Sequence, residues 1–249
     1  MEPAAYDELN QLEAGHWWYR GMRDITARLL RAALPRQAGL EILDAGCGAG
    51  GNLDALAAFG RVWGFDYSPL ALAYAAQRHS GQLLRASVEA LPYADASFDL
   101  VTSFDVLVCA EVADDLRALR EFARVTRPGG HVLVRLAALE ALRGPHDTVV
   151  HGARRYTAAG LRERLAQAGL HPVRVTYANS LLLAPIYAAR RLQSASVAQG
   201  AAPQSDVKAA PGPLNDLLAG LLGLEARWIG SGRGLPLGVS VMALAVKRG

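Results

Sequence analysis

The chain has 249 residues, of which 51% are hydrophobic and 20% are charged, and its formal net charge is +3. This length and balance fit a globular protein that buries a sizeable core, and they exclude a disordered chain. The basic residues are scattered rather than gathered in a stripe, so nucleic acid is not an expected partner.

The cysteine count and the hydropathy pattern bear on the compartment. Cys47 and Cys109 are too few for a disulfide framework, and neither belongs to a pair with metal-ligand spacing. The first residues lack the basic start and apolar run of a signal peptide, and the longest apolar stretch, 181–189, contains Pro185 and is too short to span a bilayer. We therefore expect a cytoplasmic protein with no transmembrane segment and no metal site.

Strand and helix signals alternate along most of the chain. The periodicity predicts one or two helices over 5–34, then strand 41–45, helix 52–59, strand 61–66, helix 69–78, strand 82–86, strand 98–103, helix 114–126, strand 131–136, helix 157–168 and strand 172–177. Alternation at this spacing predicts a parallel sheet covered by helices on both faces.

The regular pattern changes after residue 178. Residues 178–193 and 214–228 have the composition of apolar helices, and 239–247 that of a final strand, whereas 194–213 is small, polar and proline-bearing like a flexible linker. The expected organisation is an N-terminal helical cap (1–38), a core (39–178), a helical insertion (179–238) with the linker 194–213, and a last core strand (239–249).

The predicted insertion would lie at the carboxyl ends of the strands, where α/β proteins bind ligands. Its two helices are expected to line one side of an acceptor pocket. One alternative is that they pack on each other or on a second subunit, so both a monomer and a homodimer stay open. Peripheral membrane contact is a third reading, because Arg190 and Arg191 lie beside an apolar run.

A glycine-rich loop follows the first predicted strand. Gly46, Gly48 and Gly51 satisfy G-x-G-x-x-G, and Asp66 follows at the end of the second strand. Both features fit a dinucleotide fingerprint, which keeps an NAD(P)-dependent oxidoreductase as an alternative. Asp44, however, stands just before the first glycine. Its carboxylate suits an ammonium group and is a poor neighbour for a pyrophosphate.

Three further elements follow in order: Leu91-Pro92, Ser97-Phe98-Asp99-Leu100, and Arg127-Pro128-Gly129-Gly130 before the fifth strand. With the glycine loop, they resemble the class I S-adenosylmethionine-dependent methyltransferases, in particular the small-molecule, type 11-like group. The resemblance covers about residues 40–136, with weaker similarity out to 178. It implies a Rossmann-like seven-stranded, mostly parallel sheet with an antiparallel last strand. It also implies S-adenosylmethionine as cofactor, S-adenosylhomocysteine as product, and in-line methyl transfer to oxygen or nitrogen of a small acceptor. The apolar composition of the two insertion helices predicts that this acceptor is apolar.

The resemblance also implies a cofactor site. Asp44 and Gly46 would line the methionine end, and Gly48 would let the backbone approach the cofactor closely. Asp66 would take the ribose hydroxyls, with Tyr67 beside the adenine.

Five further positions complete the implied cofactor site. Ser87, Val88 and Glu89 fall where the family contacts the adenine, although Ser87 replaces the usual acid. Phe104 would face the methionine moiety, and Cys47 lies within the glycine loop as a small side chain.

Acceptor-side residues are expected after the fifth strand. His146 and His151 are the candidate general bases, and His146 could be oriented by the adjacent Asp147. Arg154 and Arg155 could hold a carboxylate or phosphate on the acceptor, with Tyr156 beside them. The alternative is a polar surface loop with no catalytic role.

An aromatic block precedes the core. Trp17, Trp18 and Tyr19 are predicted to form part of a lid over the active site, because aromatic faces attract cations and the cofactor sulfonium is one. The alternative is that these rings pack in the core. A non-catalytic S-adenosylmethionine-binding or membrane-peripheral protein remains a further reading of the whole sequence.

Overall fold

The computed structural model describes residues 10, 12–34, 39–79 and 81–249. Predictions for 1–9, 11, 35–38 and 80, which include parts of the N-terminal cap, lie outside the described residues. The elements are α1 (Trp17–Ala33), β1 (Leu40–Ala45), α2 (Leu53–Ala57), β2 (Gly60–Asp66), α3 (Pro69–Arg78), β3 (Gln82–Arg85), β4 (Phe98–Phe104), α4 (Asp115–Val125), β5 (Thr126–Ala137), α5 (Pro145–Val149), α6 (Ala158–Gln167), β6 (Leu170–Ala178), α7 (Leu183–Ala198), α8 (Gly212–Gly230) and β7 (Ser240–Lys247).

One seven-stranded sheet carries the fold, in the order β3-β2-β1-β4-β5-β7-β6. The strands are parallel except β7, which is antiparallel to both β5 and β6. This confirms the Rossmann-like sheet with an antiparallel last strand. Strand order reverses between β1 and β4, and open α/β sheets bind ligands at the carboxyl ends of the strands on either side of such a point.

Strand β5 begins earlier than predicted. Thr126 already pairs with Phe98, and the register then shifts before Leu100 pairs with His131. Gly129, with φ of 79°, lies between these two pairings, so the expected Arg-Pro-Gly-Gly turn is an irregularity inside the strand.

Helices cover both faces of the sheet. On one face α4 and α6 bury Leu119, Phe122, Leu161 and Leu165 against the strands. On the other face α1 packs closely against α8. Gly21 permits this close contact, because a side chain at that position would collide with Leu222. The N-terminal helix is therefore one of the helical layers of the core.

The segment predicted as a flexible linker is shorter than expected. Helix α7 continues to Ala198, and the hydroxyls of Ser194 and Ser196 hydrogen-bond to carbonyls one turn back, which accommodates these polar residues in the helix. The irregular part that remains contacts other segments: Asp206 pairs with the buried Arg190 at 2.6 Å, and the Lys208 carbonyl accepts a hydrogen bond from His16. Within the described ranges, no helix is both long and apolar enough to cross a bilayer.

Candidate active site

The glycine loop turns back under the end of β2. The N–H groups of Gly46 and Cys47 both donate to the Phe65 carbonyl at 2.9 Å. Gly46 has φ of 82° and lies against Val106, so a side chain there would collide. Gly48 has φ of 56°, but the space beyond it is open. Gly48 is therefore the point where a ligand can reach the backbone.

Asp44 is buried at the carboxyl end of β1. Its Oδ1 accepts a hydrogen bond from the Thr102 hydroxyl at 2.7 Å, whereas Oδ2 is buried without a partner among the described residues. Burial raises the pKa of Asp44 to about 7, although the Thr102 hydrogen bond and the charge of Arg135 oppose the rise. A buried carboxylate oxygen without a donor is costly, so Asp44 fits a site that receives a cationic donor.

Asp66 ties two loops together at the end of β2. Its Oδ2 accepts the Gly48 N–H and its Oδ1 the Ser68 N–H, both at 2.9 Å. Burial raises the pKa of Asp66, and these two N–H groups oppose the rise. Each oxygen keeps a second lone pair that could accept a hydroxyl. Tyr67 is 63% exposed and lies under the Arg85 guanidinium.

In the turn after β3, the polar side chains form hydrogen bonds with nearby backbone N–H groups. The Ser87 hydroxyl accepts the Glu89 N–H at 3.2 Å, and Val88 is buried in the core. The Glu89 carboxylate accepts the N–H groups of Ala113 and Asp114, so it is turned toward the start of α4. The structure therefore places Glu89 in a loop-bracing role rather than facing open space.

Arg135 stands at the carboxyl end of β5 and was missed by the sequence-based prediction. Its guanidinium carbon lies over two rings, 4.8 Å from the centroid of Trp18 and 4.9 Å from that of Phe104. Nε and Nη2 both donate to Asp105 Oδ2 at 2.8 Å. The available signal was a lone charged residue in the apolar run Val132–Leu133–Val134–Arg135–Leu136.

The aromatic block has two orientations. The Trp18 ring lies over the Arg135 guanidinium. The Tyr19 ring contacts the Trp18 ring edge-on, with the two ring centroids 4.9 Å apart. Burial raises the pKa of Tyr19. Trp17 instead stacks near His16, and its backbone N–H donates to the Asn215 side chain of α8. Trp18 and Tyr19 therefore point toward the strand ends.

The two candidate histidines have different surroundings. His146 Nδ1 accepts the Asp206 N–H at 3.2 Å, and burial lowers the pKa of His146. Asp147 does not orient His146, because its carboxylate is held by Arg155. His151 has φ of 54°, and its Nδ1 lies 2.7 Å from the Glu111 carboxylate.

Arg154, Arg155 and Tyr156 brace the loops instead of standing open to an acceptor. The Arg154 guanidinium donates to three backbone carbonyls between residues 109 and 113. The Arg155 side chain is 1% exposed and pairs with Asp147, and the Tyr156 hydroxyl donates to Asp115 at 2.7 Å inside the core. Sequence patterns could not reveal these partners because they lie up to 45 residues away.

Among the described residues, no group of three or more His, Cys, Asp or Glu side chains could hold a metal ion. The polar groups that come together at the strand ends are the glycine loop, Asp44, Asp66, Asp105 and Arg135.

A family model, described as a methyltransferase domain, matches residues 43–134. These residues form a class I S-adenosylmethionine-dependent methyltransferase domain. The match includes Asp44, the glycine loop and Asp66. S-adenosylmethionine is the cofactor of such domains, which confirms the cofactor prediction.

Relatives of this methyltransferase domain match about half of the chain. A Mycobacterium tuberculosis protein named a probable S-adenosylmethionine-dependent methyltransferase is 34% identical over 125 residues, covering 49% of this chain and 43% of its own. A malonyl-[acyl-carrier protein] O-methyltransferase of Erwinia pyrifoliae is 42% identical over 114 residues, covering 45% of this chain and 42% of its own. The chain thus matches less than half the length of each of these two relatives.

Solved structures share the fold over a longer span. A Haloferax volcanii methyltransferase in complex with the Trm112 methyltransferase activator aligns with a TM-score of 0.63 and 23% identity, covering 99% of this chain and 94% of its own. The [4+2]-cyclase SpnF aligns with a TM-score of 0.59 and 24% identity, covering 90% of this chain and 80% of its own. At such identities the likeness concerns the fold, and function depends on the site.

Proposed function

We propose that this chain is an enzyme that transfers a methyl group from S-adenosylmethionine to oxygen or nitrogen of a small acceptor. The observation that carries the proposal is that Asp44 Oδ2 is buried with no hydrogen-bond partner among the described residues, at the strand end that leads into the open approach at Gly48. A cationic amino group at Oδ2 would satisfy the carboxylate, and it would lower the pKa of Asp44 into the ionised range.

The remaining cofactor contacts follow from the same edge of the sheet. Asp66 is fixed by the Gly48 and Ser68 N–H groups, so its free lone pairs are held in place to accept the two ribose hydroxyls. Gly46 and Cys47 shape the loop, Tyr67 offers an exposed ring beside it, and Ser87, Val88 and Phe104 stand at neighbouring strand ends. When bound, the cofactor supplies a methyl group on a sulfonium leaving group.

The chain's own residues would mainly orient the reactants and exclude water. Trp18 and Tyr19 cover the strand ends from α1, and we assign them to the lid over the acceptor. We infer a small acceptor bound between this lid and the insertion. A carboxylate acceptor is one candidate class, because malonyl-[acyl-carrier protein] O-methyltransferases are among the relatives.

Of the two histidines, His151 is the stronger candidate for the general base. The Glu111 carboxylate orients its ring, whereas His146 Nδ1 is engaged by a backbone N–H. A base is needed for a hydroxyl or amine acceptor and not for a carboxylate, which is already ionised at neutral pH. If replacing both histidines with Gln leaves turnover unchanged, neither acts as the base.

Calorimetric titration with S-adenosylmethionine, S-adenosylhomocysteine and NAD tests the cofactor half of the proposal. We expect the first two to bind to the wild type and to bind far more weakly to Asp66→Ala, with no binding of NAD. Binding of NAD alone would refute the proposal. Cofactor binding without release of S-adenosylhomocysteine, across carboxylate, hydroxyl and amine acceptors, would instead indicate a non-catalytic binding protein. Two free cysteines fit a cytoplasmic location, which fractionation would test.

A further inference from the structure

Two buried groups of opposite charge flank β4 on one face of the sheet. Asp44 on β1 pairs with Thr102 of β4, and Arg135 on β5 pairs with Phe104 of β4. Thr102 and Phe104 are two residues apart on the same strand, so the side chains of all four residues project to the same face. Both charged residues are less than 5% exposed.

Each of these two groups has hydrogen-bonding capacity that the described residues do not use. Asp44 Oδ2 has no donor. Arg135 uses Nε and Nη2 on a single oxygen of Asp105, and its Nη1 makes no hydrogen bond to any described residue. Polar groups in such surroundings normally have partners, so the site lacks one donor for Asp44 and one acceptor for Arg135.

The guanidinium of Arg135 is held in a fixed orientation. Its Cζ lies over the rings of both Trp18 and Phe104, and its N–H groups donate in the plane of the guanidinium. Asp105 has φ of 60°, a conformation rare for a residue with a side chain, and its N–H donates to the Arg135 carbonyl at 2.8 Å. Backbone and side chain of Asp105 thus both anchor Arg135.

We propose that Arg135 is a carboxylate-binding residue of this active site, receiving a ligand carboxylate on Nη1 while Asp105 stays on Nε and Nη2. The inference rests on the proposed function. The carboxylate has two potential sources, the amino-acid end of the cofactor and the acceptor. An α-amino acid would satisfy Asp44 through its ammonium and Arg135 through its carboxylate, which would accept a charge-assisted hydrogen bond from Nη1.

The test compares ligands that differ only in the carboxylate. S-adenosylhomocysteine and its decarboxylated analogue are titrated calorimetrically into the wild type and into Arg135→Gln/Asp105→Asn. The second substitution avoids leaving a partly buried acid without its counter-ion, and Asn tolerates the positive φ at position 105. In a second arm, malonyl-coenzyme A and its ω-methyl ester are titrated into protein saturated with S-adenosylhomocysteine. Arg61→Gln is the matched control, because Arg61 stacks on Trp63 elsewhere on the sheet.

If the carboxylate belongs to the cofactor, the wild type prefers S-adenosylhomocysteine by about 10- to 100-fold, and the double variant loses that preference. If it belongs to the acceptor, the preference for malonyl-coenzyme A over its ester is lost instead. Arg61→Gln keeps the wild-type preferences in both cases. If the double variant changes neither preference, the assignment of Arg135 is wrong and its ion pair is structural. Failure of the wild type to bind S-adenosylhomocysteine would refute the proposed function itself.

Discussion

The carboxylate of Asp147 and the guanidinium of Arg155 form a buried ion pair at 2.9 Å, with side chains 7% and 1% exposed. The pair has further partners, since Asp147 also accepts the Gly144 N–H and Arg155 also donates to the Ala138 carbonyl. It therefore joins the end of β5 to both ends of the loop that carries His146 and His151.

Breaking this pair from one side should destabilise the protein. We expect Arg155→Met to lower the free energy of unfolding by about 3–5 kcal/mol, because Asp147 would stay buried without its counter-ion. Urea denaturation measures the change. Arg20→Met is the control, since its pair with Asp216 is exposed and its loss should cost about 1 kcal/mol or less. Equal effects from the two substitutions would contradict this interpretation.

Ligand binding should depend on pH through Asp44. Burial raises the pKa of Asp44 to about 7, and only the ionised carboxylate attracts an ammonium. We expect the affinity for S-adenosylhomocysteine to rise as pH increases from 6 to 8, and Asp44→Asn to bind weakly with little pH dependence. The free energy of unfolding without ligand should change in the opposite direction. The pKa of Asp44 in the folded state lies above that in the unfolded chain, so the contribution of Asp44 to stability is lost as pH rises toward 7. Calorimetry at several pH values tests the first effect and denaturation the second.

Two alanine substitutions in the glycine loop should separate packing from ligand access. Gly46→Ala should lower stability most, because it combines a cost of about 1–2 kcal/mol for positive φ with a collision against Val106. Gly48→Ala carries only the conformational cost, yet its methyl group enters the open space beside Asp66. We expect this variant to remain folded and to bind S-adenosylhomocysteine about tenfold more weakly or worse. Normal affinity in folded Gly48→Ala would contradict the placement of the cofactor.

Acid should weaken the contact between His146 and the segment around Asp206. His146 Nδ1 accepts a backbone N–H, which requires the unprotonated nitrogen. Burial lowers the pKa of His146. The positive charges of Arg190 and Arg155 lower this pKa further, whereas the negative charges of Asp206 and Asp147 raise it. Its contribution to stability is present above the unfolded pKa of about 6.5 and is lost as pH falls through the lower folded value. The loss of stability from pH 7.5 to 5 should be smaller in His146→Asn. An unchanged pH dependence in that variant would rule out this contribution.

The sequence predicts the parts of the site that depend on short-range pattern. Asp44, Gly46, Gly48 and Asp66 lie on or beside strand ends whose positions follow from periodicity, and the structure brings them together. Arg135 could not be assigned in this way, because its meaning depends on Trp18, which lies on a separate helix far away in the chain. The partners of Arg154, Arg155 and Tyr156 could not be predicted for the same reason, since each side chain finds its partner only after the loops beyond β4 and β5 have come together.

The position of β7 between β5 and β6 has a consequence for how the chain folds during synthesis. Strand β6 hydrogen-bonds only to β7 in the sheet, and β7 is the last of the seven strands to leave the ribosome. A nascent chain that has exposed β6 but not β7 therefore carries two unpaired strand edges, the outer edge of β5 and the whole of β6. Such edges are prone to pair with other chains. The packing of helix α1 is delayed as well, because α8, the helix it packs against, follows almost two hundred residues later in the chain. The outer edge of β5 and strand β6 can therefore be paired only after β7 has been synthesised, and α1 can be covered by α8 only at the same late stage.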